Sequence, residues 1–342
     1  MKVSIIGAGW YGCHIASILK ERGIDVDVYE KEGEIFQKAS SKNQNRLHLG
    51  FHYPRSFITR EQSKEGYKRF IKKYDNLCKK VNKNIYSVDN HKSVIDFETY
   101  VSIMKSAELS FNIVDYPSKM FKNLDGFIET EEMVVDFNLA KAWFEKVLKD
   151  DIIVNTEIKS EDIIECKEFI SLQEKKYDYM INCTWGVFRP FDNIDIFYEL
   201  CVTLLYRSLS NKEFALTIMD GEFVSLYPYS QNLYTLTSVK HTPLKKYKSM
   251  NDVKKNLTGI AEDEVSKVRN EIEKETLYYY PQFLENFSYH GYYTSIKTKL
   301  NVKNDCRQVI VESRGREIFV LPGKIDTIFY AEDRILSILG LQ

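Results

Sequence analysis

The chain opens by changing its hydrophobic period. KVSII is a short apolar run that stops at Gly7-Ala8-Gly9-Trp10-Tyr11-Gly12, after which Ile15, Ala16, Ile18 and Leu19 recur at helical spacing before Arg22-Gly23. That order predicts a strand, a tight turn and a helix. DVDVYE then alternates polar and apolar as a second strand ending on Glu30. From Gly66 to Lys83 the stripe Tyr67, Phe70, Ile71, Tyr74, Leu77, Cys78, Val81 predicts an amphipathic helix, with Lys68, Lys72, Lys73, Lys79 and Lys80 on its solvated face. FYELCVTLLYR, FALTIMDGEFVSLYPYS and NLYTLTSVKHTPL alternate between turn signals at Asp220-Gly221 and around Ser230 to Asn232, which predicts an antiparallel meander. Residues 249–284 read as mostly helical, and REIFVLPGKIDTIFYAEDRILSIL as strand, turn at Pro322-Gly323 and a closing helix.

Composition narrows the class. A chain of 342 residues is too long for one small core and suggests two domains. With 44% apolar and 28% charged residues and a formal net charge of −1, the chain lacks the field of a nucleic-acid binder. The six cysteines are scattered without a C-x-x-C pair, so neither a metal site nor a disulfide framework is expected. No apolar run reaches the length of a membrane span, and the start does not read as a signal peptide. A cytoplasmic protein with reduced thiols is expected.

Gly7, Gly9 and Gly12 spell G-x-G-x-x-G between a strand and a helix, and Glu30 follows the last of them after eighteen residues. This is the dinucleotide-binding βαβ fingerprint. Gly7 makes the turn, Gly9 lets a pyrophosphate approach the backbone, and Gly12 lets the helix pack on the strand. The helix N-terminus offers free N–H groups to the phosphates, and Glu30 accepts from ribose hydroxyls. Nicotinamide enzymes usually continue from the second strand into another regular βα unit. Here a polar loop with small residues follows, KEGEIFQKASSKNQNRLHLGFHYPRS, which suits FAD: Ala39, Ser40 and Ser41 can reach its pyrophosphate.

Within that loop, NQNRLHLGFHYPRS interleaves two histidines, two arginines and two asparagines with Leu47, Leu49, Phe51 and Tyr53, the pattern of a partly buried loop. It resembles the D-amino-acid-oxidase-like FAD-dependent oxidoreductases, and in particular the N-S-G-V-I-H-A-G-I-Y-Y-K-P-G-S loop of the L-2-hydroxyglutarate oxidase branch. Asn43, His48, Gly50, Tyr53 and Ser56 match; Asn45 replaces a glycine, His52 a tyrosine, and one residue is missing around Pro54-Arg55. Other segments carry the resemblance along the chain: GFIETEEMVVDFNLAKAWFEKVL with Asp136 as a helix cap, VNTEI (154–158) as a strand against the adenine, and YDYMINCTWG as a strand and small-residue turn beneath the cofactor.

The resemblance implies an α/β fold: a Rossmann-like, glutathione-reductase-like FAD-binding domain at 1–85, 136–190 and 302–342, with an inserted α+β substrate domain on an antiparallel sheet at 86–135 and 191–301. It implies noncovalent FAD held by Gly7, Gly9, Gly12, Glu30, Lys31, Ser40, Ser41, Asn43, Arg46, His48, Ile158, Cys183, Thr184, Gly186, Gly323, Lys324 and Ile325, with the closing helix aimed at the flavin's pyrimidine edge. The loop histidines His48 and His52 are the candidate bases. Arg46, His52, Tyr53, Arg55, Tyr227, Tyr229, Lys297, Lys299 and Arg307 are candidate substrate contacts, because an acid or phosphate needs cations; Lys240 and His241 are further ones. The expected activity is oxidation of a C–N or C–OH carbon of a small anionic metabolite, an amino or hydroxy acid or a sugar derivative, by hydride transfer to flavin N5, with oxygen or a quinone as electron acceptor. The alternative is a flavin-dependent nucleotide-sugar mutase without net oxidation.

Overall fold

A computed structural model describes residues 1–189, 191, 194–210, 213–257, 259–301 and 308–341. Strand β1 (Lys2–Ile6) leads through the glycine turn into helix α1 (Trp10–Glu21), and β2 (Asp25–Tyr29) returns parallel to β1. Gly7 has φ +99°, open to glycine, and a Cβ on Gly12 would lie 1.9 Å from the Gly7 carbonyl oxygen. The close helix-on-strand packing that the fingerprint calls for is therefore present. β1 and β2 belong to a six-stranded sheet in the order Ile310–Arg314, Glu317–Leu321, Tyr179–Asn182, β1, β2, Ile152–Ile153. Its pairs are parallel except at the Ile310–Arg314 edge. α1 and the closing helix (Ile328–Leu339) bury Ile15, Leu19, Ile328, Ile335 and Leu339 in the core of this unit.

The second large sheet has nine strands. Asn84–Asp89, Leu124–Thr130 and Phe111–Val114 continue one side of it, and the meander Ala215–Met219, Val224–Ser230, Leu233–Ser238 runs on to the long strand Ile196–Ser208. That strand pairs along its length with Phe287–Leu300, and helices Met250–Leu257 and Glu262–Tyr279 lie in the chain between the meander and Phe287–Leu300. The mixed α/β class with a Rossmann-like unit is the class expected.

Two local expectations need correction. The predicted 66–83 helix is shifted: α2 spans Phe57–Tyr74, capped by the Ser56 hydroxyl accepting from the Thr59 N–H. Its stripe ends in a 3₁₀ turn, because Cys78–Lys80 is drawn into a pair with Met133–Val135. VNTEI is not a strand; the strand is Ile152–Ile153. The backbone of Asn155 and Thr156 instead donates to the Glu32 and Glu30 carbonyls. Asp136 caps helix Phe137–Val147 through the Leu139 N–H at 3.0 Å. Among the described residues no helix is long and apolar enough to cross a membrane.

Candidate active site

Where the first sheet meets α1, the backbone and two side chains form a cradle. The Glu30 carboxylate, 8% exposed, accepts from the Ala8 N–H at 2.8 Å and the Glu32 N–H at 3.0 Å. It is thereby fixed at the helix N-terminus, where a ribose would meet it. The Ser40 hydroxyl accepts from the Trp10 N–H, and a Cβ on Gly9 would come within 3.1 Å of that oxygen. Lys31 is exposed at the rim, 3.9 Å from Glu32. Beneath the turn, Cys183 donates its N–H to the Ile6 carbonyl and its thiol is pushed up to about 12 by burial, too high for a reactive thiolate. Thr184 is tied to Asn182, and Gly186 has φ +81° and gives its carbonyl to the Tyr198 hydroxyl. Ile158 is buried with Tyr29, Tyr177 and Met180. A cradle of glycines with a fixed carboxylate fits the ADP half of FAD.

The loop after Ser40 carries the remaining groups. Asn43 braces it by donating to the Ala39 carbonyl and accepting from the Asn45 N–H, and Asn45 takes φ +52° where the related loop has glycine. β3 (Arg46–Leu47) pairs with Met133–Val135. That pairing brings Glu132, absent from the sequence reading, beneath the loop. Glu132 is 1% exposed and accepts from the Leu49 N–H at 2.7 Å and from the Tyr86 hydroxyl.

Arg46 is buried as well. Its Nη2 donates to the Tyr86 hydroxyl at 2.7 Å and its Nη1 to the Ser225 hydroxyl at 3.1 Å; the guanidinium lies 4.2 Å from the Tyr227 ring centroid and 3.9 Å from Glu132. Burial alone would lower its pKa, but the Tyr86 and Tyr227 hydroxyls and Glu132 outweigh it. Arg46 stays charged. Burial raises the pKa of Glu132 despite Arg46 and its hydrogen bonds.

His48 is 8% exposed, with ring centroids 5.3 Å from His52 and 6.0 Å from Tyr53. Burial, then the charges of Lys324 and Arg46, push its pKa well below the usual range. The imidazole is neutral near pH 7, the state a base requires. Lys324 places its ammonium 4.0 Å from the Tyr53 ring centroid; burial lowers its pKa to about 7 against the pull of Asp326. The Gly323 N–H donates to the Tyr11 hydroxyl, and Ile325 opens a 3₁₀ turn ahead of the closing helix. Asp326 is fully buried with neither carboxylate oxygen hydrogen-bonded among the described residues, and burial raises its pKa. His48 Nδ1, Arg46 Nε and the Tyr53 and Tyr227 hydroxyls are likewise buried without hydrogen-bond partners among the described residues. Such a concentration of unsatisfied polar atoms marks a place built for a bound group, which fits the flavin end of FAD.

The structure thus gathers Arg46, His48, His52, Tyr53, Tyr227 and Lys324. It does not gather every candidate. Arg55 bonds to Asp220 at 2.5 Å, Lys299 to the buried Glu199 at 2.6 Å, and Lys297 is exposed. Lys240 is exposed beyond the meander, and His241 follows it there. Tyr229 donates to the Ser41 carbonyl rather than facing Arg46, and Arg307 lies outside the described residues. Tyr86, Glu132 and Asp326 were not found from sequence, nor was Tyr293, whose hydroxyl donates to the Asn43 carbonyl at 3.1 Å.

Comparison with known proteins gives the family. The family model described as DAO, FAD dependent oxidoreductase, matches residues 2–119. The chain is 37% identical over 339 residues to the FAD-dependent monooxygenase FPY4 of Fusarium mangiferae, covering 98% of this chain and 90% of that protein. It is 26% identical over 369 residues to the FAD-dependent monooxygenase kojA of Aspergillus flavus, covering 99% and 86%. In fold it is similar to glycine oxidase from Geobacillus kaustophilus, with a TM-score of 0.75 at 12% identity over 99% of this chain and 93% of that one. It is also similar to the FAD-bound L-alpha-glycerophosphate oxidase of Mycoplasma pneumoniae, with a TM-score of 0.74 at 13% identity over 98% and 94%. A relative of this identity, matched over nearly the whole of both chains, settles the membership, and this chain belongs to the DAO family of FAD-dependent oxidoreductases.

Proposed function

We propose that this FAD-dependent enzyme oxidises a carbon bearing a hydroxyl or amino group on a small anionic metabolite, with His48 taking the heteroatom proton. The observation that carries the reading is the buried His48 imidazole against His52 and Tyr53, whose proton affinity burial and the charges of Lys324 and Arg46 lower. FAD, when bound, supplies the two-electron acceptor at N5. Gly7, Gly9, Gly12, Glu30 and Ser40 hold its ADP half, and Arg46, His48, Gly323, Lys324 and Ile325 face its ring. The cations attract an anion and oppose protonation of the imidazole, which keeps its lone pair available. Arg55 and Lys299 are engaged by Asp220 and Glu199, and the anion is assigned to the protonated form of Lys324 together with Arg46.

In this reading the cofactor belongs to 1–85, 136–190 and 302–342 and the substrate to 86–135 and 191–301. The loop matches to the L-2-hydroxyglutarate oxidase branch favour a hydroxy or amino acid over a sugar. Oxygen or a quinone would reoxidise the flavin, in the cytoplasm, as the free cysteines suit. The experiment is anaerobic bleaching of the bound flavin across a panel of small acids and their neutral analogues. An acid should bleach it, and His48→Ala should slow bleaching by about 10²- to 10⁴-fold, the range of a positioned base. Unchanged rates in His48→Ala would remove the base.

A second reading has its own support: both curated relatives above are named monooxygenases. Incorporation of label from ¹⁸O₂ into product, with reductant consumed, would replace the dehydrogenation proposed here by oxygen insertion.

A further inference from the structure

We propose that Glu132 is a positioning residue that fixes the tautomer of His48, holding the imidazole proton on Nδ1 and leaving the Nε2 lone pair for the substrate. The inference rests on the reading that His48 accepts the substrate proton. It begins with backbone register. Glu132 ends the turn between strand Leu124–Thr130 and strand Met133–Val135, and Met133 is the register partner of Leu47 in β3. Glu132 is therefore placed under the residues that follow β3.

Its two oxygens have different neighbours. Oε2 accepts from the Tyr86 hydroxyl and from Asn84 Nδ2 at 3.4 Å and lies 3.9 Å from Arg46 Nη2. Oε1 accepts one hydrogen bond from the described residues, that of the Leu49 N–H at 2.7 Å, and His48 Nδ1 is 3.8 Å from it. A carboxylate oxygen has a second lone pair to offer. Nδ1 is buried without a hydrogen-bond partner among the described residues, and Oε1 is the carboxylate oxygen set against it at 3.8 Å.

A neutral imidazole carries one N–H. Placed on Nδ1, that N–H turns its dipole toward Oε1; placed on Nε2, it leaves two lone pairs facing each other in a buried, weakly screened site. Among the described residues, the charges of Lys324 and Arg46 act on His48 and the rings of His52 and Tyr53 lie against it. The cations disfavour the imidazolium without choosing between tautomers, so the choice falls to Glu132. In the reaction, the substrate O–H or N–H bond breaks and its proton bonds to Nε2. FAD, when bound, would supply the acceptor for the hydrogen and electron pair of the C–H bond as the carbon to heteroatom double bond forms. The transient imidazolium keeps its Nδ1–H toward Glu132.

A carboxylate that merely anchors the loop would need the Leu49 N–H and nothing of the imidazole, which is the distinction to test. Long-range ¹H–¹⁵N spectra of histidine-labelled, FAD-loaded protein report the tautomer, with His48→Gln assigning the signal, and the flavin-free protein gives the same readout without turnover. Nδ1–H is expected in the parent chain. In Glu132→Gln that preference should be lost while FAD is retained, flavin reduction should fall at least about 10-fold, and Glu132→Asp should restore the tautomer. An Nε2–H His48 in the parent chain would overturn the proposal even if the variants failed to fold, as would a tautomer indifferent to Glu132→Gln. If the tautomer responds as stated but His48→Ala reduces flavin at the parent rate, the positioning stands and the base reading falls.

Discussion

Replacing Arg46 by methionine tests how far the loop depends on one buried cation. Methionine keeps much of the apolar stem and removes the charge. The substitution deletes hydrogen bonds to the Tyr86 and Ser225 hydroxyls at 2.7 and 3.1 Å and the stacking on Tyr227 at 4.2 Å. It also strips Glu132, itself 1% exposed, of the cation 3.9 Å away. Hydrogen bonds from a charged donor contribute about 1.5 to 3 kcal/mol each and a desolvated cation–π contact about 2 kcal/mol. These overlap in one network and do not sum. The bound to use is the loss on breaking a buried pair from one side, about 3 to 5 kcal/mol. Urea unfolding of the FAD-loaded protein, followed in parallel by flavin fluorescence and far-UV circular dichroism, measures it wherever the two transitions coincide. Much of the loss should come from the stranded carboxylate, so adding Glu132→Gln to Arg46→Met should return at least about 1 kcal/mol. A single-variant loss below about 1 kcal/mol, or a double variant that is additive to within about 0.5 kcal/mol, would refute the view that the two charges stabilise each other.

Three further outcomes are expected. Gly12→Ala puts a methyl 1.9 Å from the Gly7 carbonyl oxygen, so α1 must move off β1. Stability should drop by about 1 to 3 kcal/mol and FAD should be lost on gel filtration; a stable yellow variant would contradict the packing. Lys324 has a folded pKa near 7, below the value of a free lysine, so between about pH 7 and 10 the unfolded chain binds the extra proton and stability rises with pH. The flavin-free protein should melt higher at pH 9 than at pH 7, and Lys324→Met should flatten that slope; an equal slope in both would remove Lys324 as its source. Tyr229→Phe combined with Tyr293→Phe deletes the bonds to the Ser41 and Asn43 carbonyls at 3.0 and 3.1 Å. At about 0.5 to 1.5 kcal/mol each, FAD dissociation should quicken several-fold or more, which stopped-flow fluorescence would detect or deny.

How much of this was legible varied with the range of the interaction. The βαβ unit was readable because its signals are local: glycine geometry, a helical period and an acid at a set distance. The loop was readable because its histidines, arginines and asparagines alternate with Leu47, Leu49, Phe51 and Tyr53. Glu132 was not, since Glu131-Glu132 in ETEE looks like any solvated acidic turn. Only the pairing of Met133–Val135 with β3, and the approach of Asn84 and Tyr86 from another strand, bury it. Asp326 was hidden for the same reason: it is covered by α2 at Gly66, where a Cβ would lie 1.9 Å from the Asp326 carbonyl oxygen. Lys297 and Lys299 misled in the opposite direction. Their spacing does put them on one face of a strand, but the register sets Glu199 opposite Lys297, and that buried carboxylate takes Lys299. A glutamate inside the apolar run FYELCV was the available sign that a nearby cation was already engaged.

The loop at 41–46 is held from the far side. Tyr229 and Tyr293 grip its carbonyls, Gln44 reaches the Thr235 hydroxyl at 3.1 Å, and Arg46 reaches Ser225 and Tyr86. Every one of those partners belongs to the nine-stranded sheet. The segment proposed to wall the cofactor is thus held by the nine-stranded sheet, and loop and sheet cannot be exchanged as separate cassettes. A chimera that borrowed a relative's sheet to acquire new specificity would have to bring that relative's loop with it. Diversification within such a scaffold should proceed by paired replacement of loop and sheet edge, so that sequence drift at 41–46 tracks drift at 225–235 and 293.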